Sequence, residues 1–223
     1  MTKNDLRRGA VSSNLSGTSP LRLLDASDKW DANVLGEAQL LQRWTGIKAT
    51  LVHCTDGTAA CSNNTICVDR DQLDRLFGKF EGEKYNTAIF FALAHEFGHL
   101  CQFAIYGIDT TLAMPSIEVE AHADYLSGAW LGMRLVQGQE RLSDDVFEAG
   151  LQLKTGTNDY PSAYQRGRLV QDALGLSVLL VHIVEPQIRG IGYNTLESAL
   201  DKQDIVDLYR IARDRLHEIP ERA

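Results

Sequence analysis

The residues best suited to chemistry are His95, Glu96 and His99, in the run His95-Glu96-Phe97-Gly98-His99. On a helix, positions four apart stack on one face, so both imidazoles can reach one ion. Glu96 stands one step round, where its carboxylate leans over a water at that ion without ligating it. Neutral imidazoles suit Zn²⁺, which takes four donors and in a catalytic site keeps one position for water. The ion lowers the pKa of that water and polarises a carbonyl. A neighbouring carboxylate takes the water's proton and passes it to the leaving group. The chemistry is metal-assisted hydrolysis with Glu96 as general base. The apolar run Ala88-Ile89-Phe90-Phe91-Ala92-Leu93-Ala94 leads into His95. It places the motif on a buried helix, where polar groups are costly unless paired or metallated.

Two histidines leave a tetrahedral site one protein donor short. An extended histidine motif would need a glycine at position 102 and a histidine at position 105. The chain has Gln102 and Ile105, so the third donor is sought as a carboxylate further on. The segment Glu118-Val119-Glu120-Ala121-His122-Ala123-Asp124 supplies it. Glu120 and Asp124 share a helix face, Glu120 as ligand and Asp124 as acceptor for the other N–H of a ligand imidazole. Ala121 and Ala123 are small enough for this helix to approach the first closely. Glu118 and His122 share another face. Glu118 is the competing ligand, and His122 reads as a surface or supporting residue. The expectation is one Zn²⁺ per chain on His95, His99 and Glu120.

These groups need two helices to carry them. One is expected over residues 85–106, closed by Gly107, and another from Ser116 as N-cap to about residue 136. Before them, residues 1–25 are rich in Ser, Asn, Gly and Thr and read as a flexible lead-in. A helix follows over 27–44 with Trp30, Val34, Leu35, Ala38, Leu41 and Trp44 near helical spacing, and Gly46 can end it. Residues 47–53 and 65–68 suit short strands, and Asp69 or Asp71 could cap a short helix through Phe77. Residues 108–115 read as a loop. Further helices are expected over 143–154, 163–184 and 195–216, the last broken near Lys202. No internal repeat is visible. The fold class is α+β and mostly helical, with a small N-terminal sheet, and residues 26–223 form one domain.

Composition agrees with a globule. The chain has 223 residues, 44% hydrophobic and 23% charged, long enough to bury a core without disulfide staples. Its net charge of −8 argues against nucleic acid or an anionic membrane surface as partner. No run reaches the 18 or so apolar residues of a membrane span. Arg7 and Arg8 are followed by no apolar stretch, so no secretory signal is read and a cytoplasmic location is expected. Cys54, Cys61, Cys67 and Cys101 lack the C-x-x-C spacing of a structural zinc site. Two readings stay open, buried reduced thiols or a single disulfide among Cys54, Cys61 and Cys67. His182 lies in an apolar stretch and reads as a core histidine, while His53 and His217 read as structural or solvated.

The run Ala94-His95-Glu96-Phe97-Gly98-His99-Leu100-Cys101-Gln102, followed by Glu120-Ala121-His122-Ala123-Asp124-Tyr125-Leu126-Ser127-Gly128-Ala129-Trp130, resembles the bacterial neutral zinc metallopeptidases. Their pattern is roughly HExGHxxQ and then ExQADxxAGxW. The resemblance covers about residues 88–131. It implies a zincin-like domain of the gluzincin type, with His95, His99 and Glu120 on zinc, Glu96 as base and Asp124 supporting a ligand histidine. Downstream, Ser162-Ala163-Tyr164-Gln165-Arg166-Gly167-Arg168 is similar to a family segment with Q-R-x-R after a histidine, whose position here is Tyr160. Hydrolysis also needs a donor for the oxyanion on the attacked carbonyl. That similarity makes Tyr160, Tyr164, Arg166 and Arg168 the candidates, with Tyr160 foremost. Upstream, Cys61 and Cys67 before Val68-Asp69 resemble a family cysteine pair. Members often carry an N-terminal membrane anchor, and this chain shows none. A second resemblance is to intracellular peptidases that cleave phage-type repressors, which share HExxH and a later E-x-E-A.

The function expected is a zinc-dependent peptidase acting on a peptide or protein, by metal-activated water and a glutamate base. Its rivals are a regulatory peptidase that cleaves one intracellular partner and a metal-stabilised binding module without activity. The intact Glu96 argues against the module, which has no use for a base.

Overall fold

The structure, a computed structural model, describes residues 22–55, 57–61, 63–136, 162–179 and 202–220. Asp28 accepts hydrogen bonds from the backbone N–H groups of Trp30 (2.9 Å) and Asp31 (3.0 Å) and so opens helix α1, Lys29–Thr45. Gly46 closes it at φ 71°, a left-handed conformation that costs glycine little. Residues 47–49 are not part of the strand that follows, because pairing begins only at Thr50.

Four short strands form one sheet: β1 (Arg22–Leu23), β2 (Thr50–His53), β3 (Ala59–Cys61) and β4 (Thr65–Val68), in the order β1-β2-β4-β3. The central pair β2 and β4 is parallel, and both outer pairs are antiparallel. The expected lead-in ends earlier than residue 25. Arg22 pairs with His53, Leu23 pairs with Val52, and Leu24 is buried. The sequence analysis did not anticipate β3, since Ala59-Ala60-Cys61 shows no alternation; its conformation comes from pairing with β4. A disulfide joins Cys54, just past β2, to Cys67 in β4, with Cα atoms 5.4 Å apart. Cys61 and Cys101 are free and buried, so the bonded pair differs from the Cys61 and Cys67 pair that the family likeness suggested.

Asp69 accepts from the backbone N–H of Gln72 and starts α2, Arg70–Phe77. Helix α3 spans Glu83–Tyr106 and stops at Gly107, φ 79°. The loop expected next is instead a short helix, α4 (Ile108–Ala113), because the Thr111 N–H and hydroxyl both bond the Gly107 carbonyl. Helix α5, Ser116–Val136, begins at Ser116 itself, and the Pro115 carbonyl accepts from Glu118 and Val119. Two further helices are α6 (Ala163–Leu179) and α7 (Lys202–Glu218). The expectations over 143–154, 180–184 and 195–201 lie outside the described residues, as do Tyr160 and His182.

The described fold is mostly helical with one small sheet, an α+β arrangement. Helix α3 is its centre, packed against α1, β3 and α5, and α5 in turn packs on α6 and α7. Among the described residues it is the one helix long and apolar enough to cross a membrane, yet most of it is buried as a core helix. Trp130 on α5 reaches α1, donating its indole N–H to Glu37 (2.5 Å), which Arg134 also pairs at 3.1 Å.

Candidate metal centre

Two close helix approaches assemble the site. At Gly98 on α3, a Cβ would stand 2.8 Å from the Cα and 3.1 Å from the Cβ of Ala123 on α5. At Gly128 on α5, a Cβ would stand 2.9 Å from the Cβ of Ala173 on α6. Any side chain at either glycine would force the helices apart. Glycine and alanine at these crossings therefore bring His95, His99, Glu120, Asp124 and Arg166 into one buried cluster. The hydroxyl of Tyr209 on α7 donates to the Gly98 carbonyl (2.7 Å) and ties a fourth helix to the same turn.

Helix α6 owes its register to a capping box. The Ser162 hydroxyl accepts from the Gln165 N–H (3.2 Å), and the Gln165 side-chain oxygen accepts from the Ser162 N–H (3.0 Å). Arg166 follows directly and points into the cluster.

His95, His99 and Glu120 are all buried, and they form the one group among the described residues that could hold a metal ion. His95 Nε2 lies 3.1 Å from His99 Nε2 and 3.3 Å from Glu120 Oε2, and His99 Nε2 lies 3.7 Å from Glu120 Oε1. Two donors on a tetrahedral ion with bonds of about 2.05 Å stand about 3.3 Å apart. The two imidazoles and the Glu120 oxygen nearer His95 stand close to that value, and His99 faces the other Glu120 oxygen.

The tautomers agree with a cation at the centre. Asp124 Oδ1 lies 3.0 Å from His95 Nδ1 and can only accept, so Nδ1 carries the proton. His99 Nδ1 lies 2.9 Å from Gln102 Oε1, and the Gln102 amide nitrogen donates to the Val119 carbonyl at 2.7 Å. That second bond fixes which end of the amide faces His99, so His99 Nδ1 is also a donor. Both Nε2 atoms are left as lone pairs facing one another, and only a metal ion or a proton reconciles them. Without metal, burial alone would push His95 down, but bonding to Asp124 and Glu120 lifts it to about 10. Burial keeps His99 below its usual range. Burial would raise Glu120, yet the histidines and Arg166 hold it at about 2.

Glu96 is buried beside this group without belonging to it. Its Oε2 accepts from the Ala60 backbone N–H on β3 at 2.7 Å. Burial pushes the Glu96 carboxyl up to about 7. A carboxyl near neutrality, one oxygen pinned and the other unpinned, suits proton transfer.

Asp124 lies where the helix-face argument put it, against His95. Glu118 is half-exposed and outside the metal group. His122 is buried rather than on the surface: its ring stacks on Tyr209 at 4.8 Å, and neither ring nitrogen has a partner. Its helix face is covered by α7, which the sequence analysis had no means of placing. Arg166 is buried, and Asp124 takes its guanidinium through Nε (2.7 Å) and Nη2 (2.8 Å). Arg168 is exposed and bonded to Gln171, and Tyr164 is half-buried. His53 pairs with the buried Asp31 at 2.8 Å, and His217 is exposed. Gln102 and Ala60 were not among the expected site residues. The i,i+3 spacing of His99 and Gln102 was the available signal for the first, while a backbone N–H carries no signal in sequence.

No known protein-family model, curated protein or solved structure matches the chain.

Proposed function

We propose that this chain is a zinc-dependent peptidase with a zincin-like domain, acting on a peptide or protein substrate. One observation carries the reading: two histidine Nε2 atoms and a glutamate carboxylate converge in one buried group close enough to share an ion, with a second glutamate buried beside them and outside that group. His95, His99 and Glu120 would hold the ion. Zinc is favoured over other divalent ions by two imidazoles and one carboxylate, the donor set of zinc hydrolases. When bound, it supplies Lewis acidity and an activated water. Asp124 and Gln102 keep both imidazoles in the Nδ1–H form. Glu96 accepts the proton of the attacking water on Oε1, the oxygen not bonded to Ala60, and returns it to the leaving amine.

Glu96→Gln tests this. The substitution keeps the shape and the Ala60 bond and removes the base. The variant should retain about one zinc per chain and lose roughly 10²–10⁴-fold in hydrolysis of a peptide library. Equal hydrolysis by both proteins would sink the assignment of Glu96. Absence of hydrolysis from a zinc-loaded wild type across a broad library would favour the binding module.

A further inference from the structure

Arg166 stands inside the cluster with no part in the chemistry derived above. Its side chain is 3% exposed, and its guanidinium cannot lose its proton. Nε and Nη2 grip Asp124 in a two-pronged pair, which fixes the plane of the group. Nη2 then lies 3.4 Å from Glu120 Oε2. Oε2 is therefore engaged by a cation, and Oε1, 3.7 Å from His99 Nε2, is the Glu120 oxygen turned away from the guanidinium.

We propose that Arg166 is a positioning residue that restricts Glu120 to one metal-binding oxygen, so that the centre keeps three protein donors and an open position. This rests on the reading of His95, His99 and Glu120 as metal ligands. Without the guanidinium, both Glu120 oxygens are available to the ion, and a chelating carboxylate fills the place that water and substrate need.

Cobalt(II), taken up in place of zinc, reports coordination number through its visible spectrum. Wild type should give the intense band of a four-coordinate ion. Arg166→Met should give a several-fold weaker band, typical of five or six donors, and bind cobalt roughly 10–100-fold less tightly. Arg166→Lys restores a charge but not the planar fork, so it should recover affinity while keeping the weak band. An unchanged four-coordinate band in both variants overturns the proposal and leaves the metal site standing. Should Arg166→Met fail to fold, the lysine variant and X-ray absorption of zinc-loaded wild type decide. Two oxygens of one carboxylate on zinc in the wild type overturn it as well. A wild type that takes up neither cobalt nor zinc overturns the metal reading itself, and this proposal with it.

Discussion

At the scale of single residues, the proposed metal centre depends on groups that would not touch the ion. Asp124 and Gln102 do the same work for His95 and His99, each accepting from Nδ1 so that Nε2 faces inward. Their surroundings differ. Asp124 is charged and clamped by Arg166, whereas Gln102 is neutral and held by the Val119 carbonyl. Asp124→Ala should weaken zinc binding roughly 10–100-fold, as loss of such a partner usually does. It also removes the carboxylate that grips the buried Arg166 guanidinium, so it should cost stability too. Gln102→Leu removes the bond to His99 without stranding a charge. It should weaken zinc binding with a smaller loss of stability. Competition with a chromophoric chelator and a denaturant titration on each variant separate the two effects. Equal stability losses would mean that the Arg166 charge finds another partner.

At the scale of elements, the site is a crossing of helices set by the absence of side chains. Gly98 lies between the two histidines and faces Ala123, between Glu120 and Asp124. Its carbonyl is also the acceptor for Tyr209 from α7. Gly98→Val puts three carbons where 2.8 Å separates a Cβ from the next backbone. Overpacking of this kind costs about 1–3 kcal/mol. Because α3 carries two of the proposed ligands and α5 the third, the same displacement should open the group. The expected result is a folded but less stable protein whose zinc affinity falls at least tenfold, measured by thermal melting with and without zinc. A variant with lowered melting temperature and wild-type zinc affinity would show that the helices separate away from the ligands.

At the scale of the whole molecule, metal and fold are linked through the proton that stands in for the ion. In the metal-free protein His95 is held protonated up to about 10 by Asp124 and Glu120. Ligation needs its Nε2 bare, so each ion must displace a proton. The sign follows. A raised histidine stabilises the metal-free fold below its unfolded pKa of about 6.5, and that contribution is lost only as pH climbs towards 10. Metal must work against it at low pH, so zinc affinity should rise from pH 6 to pH 8. Calorimetry in two buffers of different ionisation enthalpy should show release of about one proton per zinc. Bound zinc should also raise the melting temperature. Ligand at a hundred times Kd stabilises the native state by about 2.7 kcal/mol. Binding without proton release would place the proton elsewhere than between the ligands.

Spacing alone made much of this legible. Four-residue intervals in an apolar context put His95 with His99 and Glu120 with Asp124 on helix faces, and the structure brings those faces together. The helices α1 and α3 were equally readable, because Gly46 and Gly107 act on their own neighbours. Strand β3 was not, since three small residues have no period and become a strand only against β4. Nor was the role of Ala60, whose contribution is a backbone N–H 36 positions from Glu96. Arg166 was visible as a charge near the site, but a charge has no direction in a sequence. Its pairing with Asp124, 42 positions away, exists because Gly128 lets α6 approach α5. Local periodicity and capping are written along the chain. Which face meets which, and which charge is already satisfied, is settled only when distant segments close on one another.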